Sequence, residues 1–366
     1  MISKTVKVAQ LSFWFVHAQQ FCSLAKLTEG VELVGCWDSD VERGSAQAAR
    51  FGCSFEPDLD KLLSREDIDA VSICAEPFLN PKLAESAAKA GKAILIEKAL
   101  AGHLSDAEKI VKAVQRYGVQ AMPAYNLRFH PVALSMKRIV DSGQMGHLHR
   151  VRRLHGHSMA YERGNFDGDE ISKNMHWVDP TEEKRGSLFF SGSHAALWFI
   201  WMFGPPKYVS AVATTASKNL IVEDNTIVLM EWENGLIGTM ESSETLIAQG
   251  PVSEIYGTEG VLLQYSGNLP STRVWNTDYT PLRYFNRTLN EWQVPLLPPQ
   301  FLRHELKYSS AGVFLQSLLD GEPFPIDMVD GFNSIAILSA AEEALSTRSN
   351  VLVKSWQDSE SQELTL

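Results

Sequence analysis

Lys98 ends the run Lys92-Ala93-Ile94-Leu95-Ile96-Glu97-Lys98, a short apolar strand closed by a carboxylate and an amine. Upstream, Val31 to Trp37 reads as another strand, and it closes on Asp38. Where a parallel strand stops, its last side chains face the crevice in which doubly wound sheets hold their ligands, so charged residues there meet cofactor or substrate. A carboxylate at the end of the second strand accepts hydrogen bonds from both ribose hydroxyls of a dinucleotide and repels a 2'-phosphate, which favours NAD over NADP. The structural alternative for Asp38 is that it and Asp40 cap the helix beginning near Val41.

The surrounding pattern supplies the scaffold such residues need. Residues 5–11 read as a strand and His17 to Leu27 as a helix. Strand and helix signals then alternate: strand 31–37, helix 41–51, a short strand 53–55, helix 58–63, strand 70–74, helix 81–90, strand 93–96, helix 104–117 and strand 119–123. That alternation predicts an α/β domain over 1–124, a doubly wound parallel sheet covered by helices on both faces. Beyond Pro123, residues 125–366 predict an α+β domain with an open, mostly antiparallel sheet: a helix over 131–141, then strands near 148–157, 207–215, 225–232, 236–244, 252–256 and 261–265. Residues 266–300, with five Pro, read as a surface or interface excursion. Helices follow at 311–319 and 331–348, the latter expected to pack back on the first domain.

The turn after the first strand lacks the glycines that let a diphosphate approach backbone amides at a helix N-terminus. Ser12, Trp14 and His17 stand in the three places of the G-x-G-x-x-G pattern. Either Trp14 obstructs the diphosphate, or a wider loop offers the Ser12 hydroxyl and backbone amides around Phe13 instead. The candidate cofactor contacts are therefore Ser12, Phe13, Trp14, Asp38, Glu97 and Lys98, with Asn126 and Arg128 following the last parallel strand.

Composition narrows the partners. In 366 residues, 33 basic against 44 acidic side chains give a formal charge of -11, which disfavours nucleic acid and anionic membranes. The one basic run, Arg150, Arg152 and Arg153, alternates as a strand edge does. Four cysteines without metal-type spacing predict buried free thiols. No charged-then-apolar leader and no stretch of roughly 18 apolar residues is present, so a cytoplasmic location is expected. His155 and His157 share a strand face by period two, as a metal pair does, but no third ligand has a convincing spacing, and no metal is expected.

Taken in order, Val31-Glu-Leu-Val-Gly-Cys-Trp-Asp38, Asp67-Ile-Asp-Ala-Val-Ser-Ile73, Ala90-Gly-Lys-Ala-Ile-Leu-Ile-Glu-Lys98, Asn126-Leu-Arg-Phe-His-Pro131, Gly186 to His194 and Gly257-Thr-Glu-Gly260 resemble the glucose-fructose oxidoreductase, inositol dehydrogenase and MocA family of NAD(P)-dependent sugar oxidoreductases. The resemblance implies a Rossmann domain followed by a substrate and oligomerisation domain. It assigns Lys98 and His194 as catalytic, Lys98 handling the proton of a substrate hydroxyl while hydride moves between carbon and nicotinamide. It also implies a carbohydrate substrate and a homodimer or homotetramer. Departures are Ala99 for the proline after Glu97-Lys98, Asn80 for a histidine, and Phe190 for the aspartate that precedes the catalytic histidine. Asp179 or Glu182 is a candidate replacement acid. Substrate contacts are expected from Lys98, His155, His157, Tyr161, His176, Trp177, Asp179, Phe190 and His194, since imidazoles and aromatic faces suit a polyhydroxylated ring. Three activities fit: an NAD-dependent sugar or cyclitol dehydrogenase, a redox-cycling glycosidase that retains NAD, or a degenerate member that binds sugar or partner without turnover.

Overall fold

The computed structural model describes residues 5–157, 185–216, 222–246, 250–265, 280–297 and 309–358. Two units emerge. One joins Met1–Asn126 with His304–Ile335, and the other joins Leu127–Arg303 with Ala336–Leu366. Against the expected division at 124, the segment 304–335 groups with the first unit. The cause is local packing: helix Ser310–Asp320 lays Phe314 beside Phe21, ring centroids 6.4 Å apart, and the Ser310 hydroxyl accepts the Tyr125 amide at 2.7 Å.

The first unit is the expected α/β domain. Strands β1 (Val6–Leu11), β2 (Val31–Trp37), β3 (Ser54–Phe55), β4 (Ala70–Ile73), β5 (Ala93–Ile96) and β6 (Ala121–Pro123) form one parallel sheet in the order β3-β2-β1-β4-β5-β6. The order reverses between β1 and β4, which opens a crevice at the carboxyl ends of those strands. Helices α1 (His17–Leu27), α2 (Val41–Phe51), α3 (Leu59–Leu63), α4 (Asn80–Lys89) and α5 (Leu104–Tyr117) connect the strands. β4 is buried throughout, as a central strand covered on both faces must be. Each fully buried Val, Leu or Ile, among them Val71, Ile73 and Ile94, stabilises the sheet by about 1.5–3 kcal/mol.

Helix boundaries follow their capping chemistry. The Asp40 side chain accepts the Arg43 amide to start α2, and Gly52, at φ 68°, ends it in the left-handed region. Inside α2, Gly44 permits a close approach: a Cβ there would overlap the Phe55 ring and sit 2.8 Å from the Asp38 Cβ. The missing side chain thus brings α2 onto the end of β2 and buries Asp38.

In the second unit, β7 (Leu148–Gly156), β8 (Tyr208–Thr214), β9 (Asn225–Glu231), β10 (Ile237–Ser243), β11 (Pro251–Gly257), β12 (Gly260–Tyr265), β13 (Leu282–Asn286), β14 (Glu291–Gln293) and β15 (Val351–Leu352) form a nine-stranded sheet ordered β14-β13-β12-β11-β7-β10-β9-β8-β15. β7 and β10 pair in parallel, and the other neighbours are antiparallel. The reading of 266–300 as an excursion needs correcting, because β13 and β14 extend the sheet as a hairpin. Strands this short carry too little alternation to register against the surrounding prolines.

The basic run is consumed within this sheet. Arg152 bridges Glu241 on β10 and Glu254 on β11, Arg153 is buried against Ser253 and Gln264, and Arg150 lies over the Tyr256 ring. Helix Gly192–Phe203 is buried on nearly every side, including Trp198 and Phe199, which explains its uniformly apolar sequence. Among the described residues no helix is long and apolar enough to cross a membrane, and no group of three His, Cys, Asp or Glu side chains could hold a metal ion.

Candidate active site

In the first unit, the ends of β1, β2 and β5 bring together the turn residues, Asp38 and the Glu97–Lys98 pair. Ser12 is buried and adopts φ 64°, the left-handed conformation a glycine would take at that place. The turn therefore keeps a glycine-type start without a glycine. The Ser12 amide donates to the Trp37 carbonyl at 2.7 Å, and its hydroxyl accepts the Trp14 amide at 3.2 Å. The Phe13 amide donates to Asp38 at 2.7 Å and the Phe15 amide to the Cys74 carbonyl at 3.1 Å, so the amides of Phe13, Trp14 and Phe15 are each engaged within the protein. Phe13 stacks on Phe51, and Trp14, half-buried, stacks on Phe15.

Asp38 is 2% exposed, and both of its oxygens are occupied. One accepts the Phe13 amide and Arg43 Nε (3.0 Å); the other accepts the Asp40 amide (2.9 Å) and Arg43 Nη2 (2.6 Å). Burial alone would lower the Arg43 guanidinium, but its bonds to Asp38 and that carboxylate's charge carry it above its ordinary value. Neither this clamp nor Arg43 was legible in the sequence, although an arginine in the first turn of a helix that starts beside a strand-end acid is the available signal.

Lys98 and Glu97 are both buried at the end of β5, 9% and 6% exposed. The turn reaches both. His17 Nδ1 lies 3.1 Å from Glu97 Oε1, an ion-pair approach rather than an aligned hydrogen bond, and Lys98 Nζ stands 4.9 Å from the centroid of the Phe15 ring. Phe15 in turn packs edge-on against His17. The Lys98–Ala99 peptide bond is cis. Burial, and then the charge of Glu97, push the Cys74 thiol up, which keeps it protonated and inert. A cavity of about 20 Å³ lies against His17, Gln20, Ser72, Glu97, Asn126 and Ser310, room for one water with several polar partners.

Other expected contacts have local duties. The Asn126 side chain accepts the Ser310 amide at 2.9 Å, while Asn80, the departure from the family's histidine, is fully buried and donates to the Leu100 carbonyl at 3.0 Å. In the second unit Arg128 lies over the Trp201 ring.

The second unit gathers imidazoles at one end of its sheet. His155 stacks on His194 with centroids 4.5 Å apart and meets His157 edge-on at 5.3 Å. His194 stands in the first turn of helix Gly192–Phe203, three residues after Ser191. The Ser191 hydroxyl makes a short hydrogen bond to Glu244, a buried carboxylate that follows β10, and β10 ends beside His155 and Gly156 of β7. Glu223, whose carboxyl is pushed up by burial, accepts the Leu188 amide and fixes the start of that segment. Phe190 is half-buried in the same segment. Glu244 went unnoticed in the sequence, although it ends a strand as Asp38 and Glu97 end theirs. Tyr161, His176, Trp177, Asp179 and Glu182 lie outside the described residues.

Two family models match the chain: the GFO/IDH/MocA oxidoreductase family, NAD-binding Rossmann fold, over residues 14–125, and the GFO/IDH/MocA C-terminal domain over residues 133–263. A D-apiose dehydrogenase of Paraburkholderia graminis is 34% identical over 242 residues, 64% of this chain and 61% of that protein. The inositol 2-dehydrogenase 1 of Saccharopolyspora erythraea is 31% identical over 159 residues, 43% of this chain and 47% of that protein. The chain spans about three-fifths of the length of the curated relatives it matches. Among solved structures, a levoglucosan dehydrogenase in complex with NADH superposes with a TM-score of 0.78 at 19% identity, covering 95% of this chain and 99% of that one, a likeness of fold.

Proposed function

The chain belongs to the GFO/IDH/MocA oxidoreductase family, and from that premise we propose that it is an NAD-dependent dehydrogenase interconverting a secondary alcohol and a ketone on a sugar or cyclitol. The observation that carries this reading is the placement of Lys98, a buried amine at the carboxyl end of β5, one strand beyond the reversal of order between β1 and β4. The positive φ of Ser12 supports the fit of a dinucleotide, because the turn leaves β1 in the conformation that a glycine provides. The turn Ser12, Phe13 and Trp14 would lie along its diphosphate with its amides already engaged within the protein, Asp38 would stand at its ribose, and Glu97 and Lys98 at its nicotinamide end. When bound, the nicotinamide supplies a hydride acceptor or donor.

The chain's own residues supply the proton chemistry. Lys98 takes the proton from the substrate hydroxyl in oxidation and returns it in reduction. Phe15 and Glu97 hold the amine's surroundings in place, and burial excludes water from it. In the second unit His194, stacked on His155, is the further candidate proton-handling group, and Phe190 gives its segment a more apolar side chain than an aspartate would. Purified protein given NAD and a panel of aldoses, sugar acids and inositols should change the nicotinamide absorbance with at least one of them. Products formed from glycosides with no net change in absorbance would point to redox-cycling hydrolysis instead.

A homo-oligomer completes this reading. Val212, Ile227, Leu229 and Ile237 are 44–57% exposed on one face of β8, β9 and β10, an apolar stripe of the kind that interfaces cover.

A further inference from the structure

Gln10 is a polar side chain buried completely in β1, a strand flanked on both sides in the first sheet. A carboxamide placed there costs free energy unless its hydrogen bonds are made. Its Nε2 donates twice to the chain that follows, to the Leu11 carbonyl at 3.1 Å and to the Ser12 carbonyl at 2.8 Å. We propose that Gln10 is the positioning residue of the turn between β1 and α1: it holds Ser12 in the left-handed conformation, and so does for a serine what a glycine does unaided. This rests on the dinucleotide-binding reading above.

The backbone conformation of a residue is set by the two peptide planes that flank it, and a trans peptide points its carbonyl and its N–H in opposite directions. In the Leu11–Ser12 peptide, Gln10 and the Cys74 amide (3.0 Å) hold the carbonyl, while the N–H donates to the Trp37 carbonyl at 2.7 Å. In the Ser12–Phe13 peptide, Gln10 holds the carbonyl, while the N–H donates to Asp38 at 2.7 Å. Gln10 thus grips both planes. A φ of 64° costs a serine what it does not cost a glycine, and the two carboxamide bonds offset that cost. Ser12 is itself fully buried, so its carbonyl, released by Gln10, would have no water to turn to. The same grip aims the Phe13 amide at Asp38, which sets the turn in register with the acid that ends β2.

The test is a fluorescence titration of the full chain with NADH, run beside urea unfolding, on the wild type, Gln10→Met, Ser12→Gly and the double variant. Methionine matches the length of glutamine and removes its donors. Gln10→Met should weaken NADH about tenfold, whereas the double variant should bind within about threefold of Ser12→Gly alone, because a glycine needs no such hold. Gln10→Asn, whose carboxamide is one carbon shorter and cannot span both carbonyls, repeats the comparison should the methionine variant not fold. A folded Gln10→Met that binds NADH as tightly as the wild type, with only its unfolding midpoint lowered, overturns the proposal and leaves the dinucleotide reading standing. An equal loss of affinity on the serine and glycine backgrounds overturns it as well, since Gln10 would then act other than through the conformation of Ser12. Failure of the wild type and every variant to bind NADH overturns the dinucleotide reading, and this inference with it.

Discussion

His17 Nδ1 sits 3.1 Å from Glu97 Oε1, so the residue in the third glycine's place of the first turn touches the residue immediately before Lys98. With the Phe15 ring against the Lys98 side chain, the turn between β1 and α1 is the support of the candidate proton-transfer group. The residues that stand in the places of the glycines thus have a packing role of their own.

Removing that support should be felt at Lys98. His17→Ala removes the imidazole beside the Glu97 carboxylate, and Phe15→Leu removes the aromatic face against the Lys98 side chain. Both variants are expected to lower kcat more than they raise KM, with Phe15→Tyr restoring most of the loss. Steady-state kinetics on whichever substrate the panel yields, together with denaturant unfolding, measure the two effects. A pure change in stability at unaltered kcat would remove the positioning role.

Gly44→Ala should destabilise the first unit by about 1–3 kcal/mol, since the added methyl overlaps Phe55 and crowds the Asp38 Cβ. Because Asp38 must shift, dinucleotide affinity should fall in parallel. Urea unfolding and a cofactor titration on the same sample check both, and an unchanged midpoint would contradict the close packing of α2.

His130 gives a pH dependence with a definite sign. Burial first, and then the charge of Arg153, push its imidazole down to about 4, and its Nδ1 accepts the Val132 amide as the neutral form must. Between about pH 6.5 and about pH 4 the unfolded chain therefore binds a proton that the folded chain refuses. The stabilisation is fully present above 6.5 and is lost as pH falls toward 4, by up to about 3 kcal/mol. In His130→Gln the drop in unfolding free energy between pH 7 and pH 4.5 should shrink correspondingly. An identical drop in variant and wild type would assign the acid sensitivity elsewhere.

Ser191→Ala strips the buried Glu244 carboxylate of its hydroxyl donor. The expected result is a loss of about 1–3 kcal/mol in stability and a lower kcat through the His194 turn, with Glu244→Gln partly rescuing stability because an amide tolerates the site better than an unpaired charge. Differential scanning calorimetry of the two single variants and the double variant reads the coupling. Additive losses would show that Ser191 and Glu244 act independently.

Much of this was legible before any coordinates. Alternation of short apolar runs with helical periodicity placed every strand of the first sheet, and strand-end charges marked Asp38, Glu97 and Lys98. The imidazole cluster of His155, His157 and His194 was visible as residue types, though not as stacked rings. The engagement of Asp38 by Arg43, of Glu97 by His17 and of Ser191 by Glu244 was not legible, because each joins side chains from different elements and depends on register rather than on local pattern. The β13–β14 hairpin was missed for the opposite reason: its strands are too short to show a period.

The most direct test of the proposed chemistry is Lys98→Met, assayed for turnover and, on the same preparation, for NADH binding. Proton transfer by Lys98 predicts a loss of about 100-fold or more in kcat, with a folded protein that still binds the cofactor. A variant that turns over at the wild-type rate would contradict it.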